Sequence, residues 1–379
     1  MVTMSFRPVS HRNPAFRLSA LALPVLMMLA CGPRSGLPAL ESPPLDPGAT
    51  LTRIGFGSCL GQDEEQPILD VVRLRDFDLF LMLGDNVYGD VSVPTEMTEL
   101  REAYGKQAGN PRFDALRRST PMLAVWDDHD FGLNDAGETF PGRHLAEELF
   151  DQFWRIPEDA ASRTRPGIYD AHIFGPLGRR TQILLLDTRF FRSDLKTSTE
   201  ENRRYDPDPA PGKTMLGDDQ WRWLEAELRK PADLRLLVSS IQVLAEGHGW
   251  EAWRTLPRER DRLYDVIRRT GAEGLVVLSG DRHRAAIYRR DEVIGYPLYE
   301  ITSSSLNRPS RLLEEPGPFR LGPSFPSENF GVLEIDWTAR TLQLDVADIE
   351  GETVLSHTIG FETLRPSGDL EPVPEPHQP

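Results

Sequence analysis

Six times along the chain a short apolar run ends in a polar cluster. Residues 54–56 lead into Gly57-Ser58-Cys59, 79–83 into Gly84-Asp85-Asn86, and 122–126 into Asp127-Asp128-His129-Asp130. Residues 183–186 lead into Asp187-Thr188-Arg189, 236–238 into Ser239-Ser240-Ile241-Gln242, and 275–278 into Gly280-Asp281-Arg282-His283. Unbroken apolar runs predict strands covered on both faces. Polar residues at their C-terminal ends are expected to converge along one sheet edge, where α/β folds usually place ligands. Helices fit between the strands. Residues 67–76 carry Ile68, Leu69, Val72 and Leu74 behind Pro67, which suits a first turn. Trp221, Leu224 and Leu228 recur at helical spacing, as do Leu263, Val266 and Ile267 before Gly271, a helix stop. Near the end, residues 330–337 and 342–346 alternate about a turn at Thr338-Ala339-Arg340 and predict a second sheet. The expected class is α/β, a four-layer α-β-β-α sandwich with mixed sheets.

The ends of the chain have a different character. Arg7, His11, Arg12 and Arg17 precede an apolar stretch over 18–30, too short to anchor a protein permanently across a bilayer. Met28-Leu29-Ala30-Cys31-Gly32 follows and resembles the lipobox of bacterial lipoproteins, in which the cysteine is lipidated; an ordinary cleaved signal peptide is the alternative. On this reading 1–31 is a lipoprotein signal ending at Cys31, and Gly32 after it favours outer-membrane sorting. Residues 32–50 are a Pro/Gly-rich tether, 51–363 one catalytic domain, and 364–379 a disordered Pro- and Glu-rich tail. The expected location is the periplasm or cell surface, on a lipid anchor.

Composition narrows the function. The 379 residues carry 59 acidic and 43 basic side chains, a net charge of -16. A nucleic-acid backbone needs a basic surface, so it is not expected as the main partner. Clustered carboxylates are compatible with multivalent cations. There are two cysteines, Cys31 and Cys59. With Cys31 lipidated, Cys59 has no disulfide partner, which leaves a buried inert thiol or a metal ligand.

The strand-end clusters are rich in metal-ligand types. A carboxylate at Asp85, just past a buried strand, is costly unless paired or metal-bound, although a helix N-cap would also explain it. Three carboxylates in four residues at 127–130 repel unless cations or arginines intervene; a solvated acidic turn is the alternative. Asp281 and His283 alternate, which sends both to the same side if the chain stays extended.

Cys59, GDNVY at 84–88, WDDHD at 126–130, LDTR at 186–189, SSIQ at 239–242 and GDRH at 280–283 occur in this order. In this the sequence resembles the PhoD-like branch of the calcineurin-like metallophosphoesterases, from about Arg53 to Ile349. The resemblance implies a centre of two or more metal ions, iron with calcium, and hydrolysis of phosphate mono- or diesters by a metal-bound hydroxide. It implies Cys59, Asp85, Tyr88, Asp128, Asp281 and His283 as ligands, with Asn134 a further candidate; ligation is not carried onto Gln242. A phenolate beside a thiolate favours ferric iron. His129 would protonate the leaving oxygen or steady the transition state, and Arg189 would offset phosphoryl charge, the alternative for Arg189 being a structural ion pair. His248, in a loop, is more often neither ligand nor catalyst. A monomer acting on a phosphoester is expected. Two rivals remain: an SGNH-type ester hydrolase, suggested by Gly132-Leu133-Asn134-Asp135 with Ser58 as nucleophile, and a non-enzymatic metal-binding surface lipoprotein.

Overall fold

The computed structural model describes residues 41–291, 293–310 and 317–366. Cys31, the signal segment, the tether up to residue 40 and the tail from 367 lie outside the described residues.

The strands, in chain order, are β1 (Arg53–Gly57), β2 (Leu79–Leu83), β3 (Met122–Val125), β4 (Asp170–Phe174), β5 (Thr181–Leu185), β6 (Lys196–Thr197) and β7 (Tyr205–Asp206). They continue with β8 (Leu234–Ser239), β9 (Leu275–Ser279), β10 (Ala285–Arg290), β11 (Leu298–Ser303), β12 (Asn329–Asp336), β13 (Thr341–Asp348) and β14 (Thr353–Gly360). The helices are α1 (Ile68–Arg73), α2 (Thr98–Ala108), α3 (Pro111–Ser119), α4 (Asp128–Phe131), α5 (Arg143–Trp154), α6 (Gly217–Leu228) and α7 (Pro257–Thr270).

Two six-stranded mixed sheets carry the domain, in the orders β14-β13-β12-β1-β2-β3 and β10-β11-β9-β8-β5-β4. The apolar runs form the central parallel strands, and β2, β5 and β9 are buried along their whole length. Burial on both faces explains why they read as unbroken rather than alternating. Helices α2, α3 and α5 pack together, and α6 packs on α7. Gly271 ends α7 in a left-handed conformation (φ 63°), as a C-terminal stop requires.

Two expectations need correction. The polar clusters do not converge on one sheet edge: β1–β3 belong to the first sheet, whereas β5, β8 and β9 belong to the second. The C-terminal hairpin is not a second sheet either. β12 lies antiparallel on β1, with Ile54 opposite Leu333, and so extends the first sheet together with β13 and β14. The second sheet gains β4, β10 and β11, which carry no clear apolar period. In β11 the run is interrupted by Glu300, buried because its carboxylate accepts the backbone amides of Val243 (2.9 Å) and Leu244 (2.6 Å).

The last part of the segment assigned to the tether lies against the domain. Leu45 packs on the core, Ser42 Oγ accepts from Arg117 Nε at 2.9 Å, and Gly175 N donates to the Pro47 carbonyl at 2.9 Å.

Candidate metal centre

Because β1, β2 and β3 are parallel to one another, as are β5, β8, β9 and β11, their C-terminal ends deliver Cys59, Asp85, Asp128, Ser240, Asp281 and Ser304 to the junction between the sheets. The backbone departs from strand geometry there. Cys59 (φ 60°), Asp85 (φ 48°), Asp281 (φ 68°) and His283 (φ 53°) all adopt the left-handed region. For side chains with a Cβ this conformation is costly, and such strain concentrates at functional sites. It also corrects the extended reading of 281–283: two left-handed residues place Asp281 and His283, not strand alternation. Gly84 (φ 100°) allows the closest approach. A Cβ there would stand 2.6 Å from the Asp127 Cβ, so glycine is required for β2 and β3 to bring their acidic ends together.

The three aspartates after β3 have separate partners. Asp127 accepts from Arg189 and from Ser240 Oγ (2.6 Å). Asp130 accepts the backbone amides of Asp127 (2.6 Å), Asp85 (3.2 Å) and Asn86 (3.2 Å), and so ties the two acidic loops together. Asp128 accepts His129 N (2.9 Å) and Asp135 N (2.6 Å). All three are buried, which excludes a solvated acidic turn.

Donor atoms of Cys59, Asp85 and His283 lie within 4.8 Å of one another, and so do those of Asp85, Asp128 and His129. Asp85 is common to both groups. Its Oδ2 is 3.5 Å from Cys59 Sγ and accepts from Tyr88 Oη at 3.2 Å. Tyr88 Oη is also 3.3 Å from His283 Nε2. His283 Nδ1 meets the Arg308 carbonyl, which can only accept; the proton therefore sits on Nδ1, and Nε2 turns its lone pair to the cluster. Ser304 Oγ, 3.2 Å from Cys59 Sγ, also accepts His283 N at 2.8 Å.

The cluster is short of positive charge. Burial, followed by the neighbouring Cys59, pushes the Asp85 carboxyl well above the carboxylate range. Burial does the same to Asp281 and raises Cys59 and Tyr88. Asp281 Oδ2 is buried and receives no hydrogen bond. Burial opposes charge on His129, but Asp128, Asp85 and Asp90 outweigh it and raise the ring to about 10. Such a set of thiol, carboxylates, phenol and imidazole fits resident cations, which would compensate the buried anions.

A cleft of about 290 Å³ opens over the cluster, lined among others by Asp128, His129, Asn134, Asp281 and His283. Asn134 donates to Asp135 Oδ2 at 2.6 Å on its wall. Arg189 is not exposed to it. Fully buried, its guanidinium pairs with Asp127 and with Glu251 Oε2 at 2.7 Å, so its geometry is that of the structural ion pair. Gln242 donates to Thr302 Oγ1 (2.9 Å) and Tyr288 Oη (3.2 Å), away from the ligand groups. His248 is buried with Nδ1 accepting from Trp250 N at 3.2 Å. Ser58 is buried too, its Oγ beside the Ser303 carbonyl and Cys59 Sγ rather than an imidazole, which removes it as a nucleophile.

Sequence reasoning missed Asp90, Asp135, Glu251 and Ser304. Asp90 lies 2.9 Å from His129 Nδ1, and Asp135 and Glu251 form a third acidic group with Asp128. Asp90 and Asp135 adjoin flagged motifs. Glu251 and Ser304 lie in loops without pattern, and only folding brings them in.

The PhoD-like phosphatase family model matches residues 155–318, a span that includes Asp281 and His283 but not Cys59, Asp85 or Asp128. Alkaline phosphatase D of Bacillus subtilis (strain 168) is 22% identical over 274 residues, 62% of this chain and 47% of the relative. The chain thus spans about half the length of that curated relative. A solved structure of PhoD superposes with a TM-score of 0.64 at 17% identity, covering 88% of this chain and 76% of that one. Purple acid phosphatase PPD1 from yellow lupin (Lupinus luteus) seeds gives a TM-score of 0.56 at 12% identity, covering 84% of this chain and 55% of that one. Residues 155–318 therefore resemble a PhoD-like phosphatase domain, and the chain shares the fold of the PhoD and purple acid phosphatase structures.

Proposed function

We propose that this protein hydrolyses phosphate esters at a centre of two or more metal ions held by Cys59, Asp85, Tyr88, Asp128, Asp281 and His283, with Asn134 at the cleft wall. The observation that carries the reading is Asp85, whose carboxylate belongs to both ligand groups, as a ligand bridging two cations must. When bound, such cations acidify water and offset charge on a phosphoryl group. The thiol and phenol favour iron at the position of Cys59 and Tyr88, with calcium at the oxygen-rich side. His129, held by Asp90 and with its ring 4.4 Å from that of Tyr88, lines the cleft. It can give its proton to a leaving oxygen or hold a phosphoryl oxygen.

Metal analysis combined with hydrolysis of a panel of phosphate mono- and diesters tests this. Iron- and calcium-dependent turnover lost on chelation is expected. Metal-free protein fully active on carboxylic esters would sink it.

Among the described residues no helix is long and apolar enough to cross a membrane. Export and tethering through lipidated Cys31 rest on the lipobox-like sequence. Cys31→Ser should keep activity and abolish membrane partition, and unchanged membrane retention would refute the anchor.

A further inference from the structure

A cleft larger than the one over the acidic cluster lies elsewhere. The first sheet ends at β3 and the second at β4, and between these two edges opens a cavity of about 520 Å³ walled in part by residues 41–45. That volume suits a small-molecule site. Its lining is mostly apolar, with Leu123, Phe150, Ile156, Ile168 and Leu185 prominent.

Two polar groups on this wall are poorly provided for. Arg117 is buried at 2% exposure, yet it bonds only Ser42 Oγ and the Phe153 carbonyl (3.0 Å) and stacks on Trp154 (4.8 Å). Among the described residues no carboxylate pairs with it. Burial, followed by nearby Arg155, lowers its pKa to about 10. Trp154 is also buried, at 8% exposure, and its Nε1 has no hydrogen-bond partner. Two acids on the wall are paired, Glu41 with Arg118 and Asp151 with Arg163 (3.0 Å), and Asp170 lies 3.5 Å from His172. A buried cation lacking a counter-ion, beside an unmet donor and an apolar slot, matches an anion with an apolar chain.

We infer that this cavity is a second ligand site that takes a medium-chain carboxylate, its head on Arg117 and its chain along Phe150, Ile168 and Leu185. The site is separate from the metal centre and does not depend on the proposed hydrolysis. Calorimetry on the full chain with decanoate, below its micellar range, should give saturable one-to-one binding, with decanol at least tenfold weaker. Arg117→Met should weaken decanoate at least tenfold while sparing decanol. The wild-type comparison of decanoate with decanol stands even if Arg117→Met fails to fold. No saturable decanoate binding, equal binding of decanol, or undiminished decanoate binding in a folded variant overturns the assignment.

Discussion

Cys59 Sγ donates to Asp85 Oδ2 at 3.5 Å, two groups delivered by adjacent parallel strands and each held in a left-handed backbone. Burial raises the pKa of both. On the function proposed above they share a cation. Cys59→Ala should leave the domain folded while lowering bound metal and phosphoesterase activity by at least roughly 10–100-fold, the loss typical of outer partners alone. Elemental analysis together with turnover checks this, and wild-type loading in the variant would rule out ligation.

Arg189 sits with Asp127 and Glu251 in a buried charge network. Removing the cation strands buried Asp127 and leaves Glu251 to Arg192 alone. Arg189→Met should therefore cost about 3–5 kcal/mol in chemical denaturation. A variant of full stability but depressed kcat would return Arg189 to the chemistry.

Asp130 positions rather than ligates. Asp130→Ala leaves the amides of Asp85, Asn86 and Asp127 without their acceptor, at about 1–3 kcal/mol for each group left unsatisfied. Metal titration should show weaker loading because the Asp85 loop loosens. Unchanged metal affinity would separate Asp130 from the site.

Glu147 offers a pH test away from the metal centre. It accepts Gly167 N at 2.7 Å, and burial, then Asp187, raises its pKa to about 7 from 4.5. The folded state thus holds this proton more tightly than the unfolded one. Its stabilising effect is complete below about pH 4.5 and is lost as pH rises through about 7. Glu147→Gln keeps an acceptor and should flatten the fall in stability across that window, read as melting temperature against pH. An unaltered slope would show that another group titrates there.

The pattern of apolar runs was enough to place the central strands, because strands buried on both faces must be apolar throughout. The strand-end acids, Cys59 and the GDNVY and GDRH motifs were legible for the same reason: a polar residue next to a buried strand stands out against its neighbours. Strands β10, β11 and β14 were not legible. Their polar residues, such as Glu300, are satisfied by distant backbone amides that no local window contains.

What the sequence by itself determined, then, is the set of ligand types and their order at strand ends. Tertiary structure alone decided how they divide. It split the motifs between two sheets, sent Asp127 to Arg189 and Asp130 to backbone amides, and left Asp128 in the ligand groups. Three aspartates within four residues are chemically alike in sequence; they differ only through partners up to 113 residues away, and the cost of burying an unpaired charge assigns each its role.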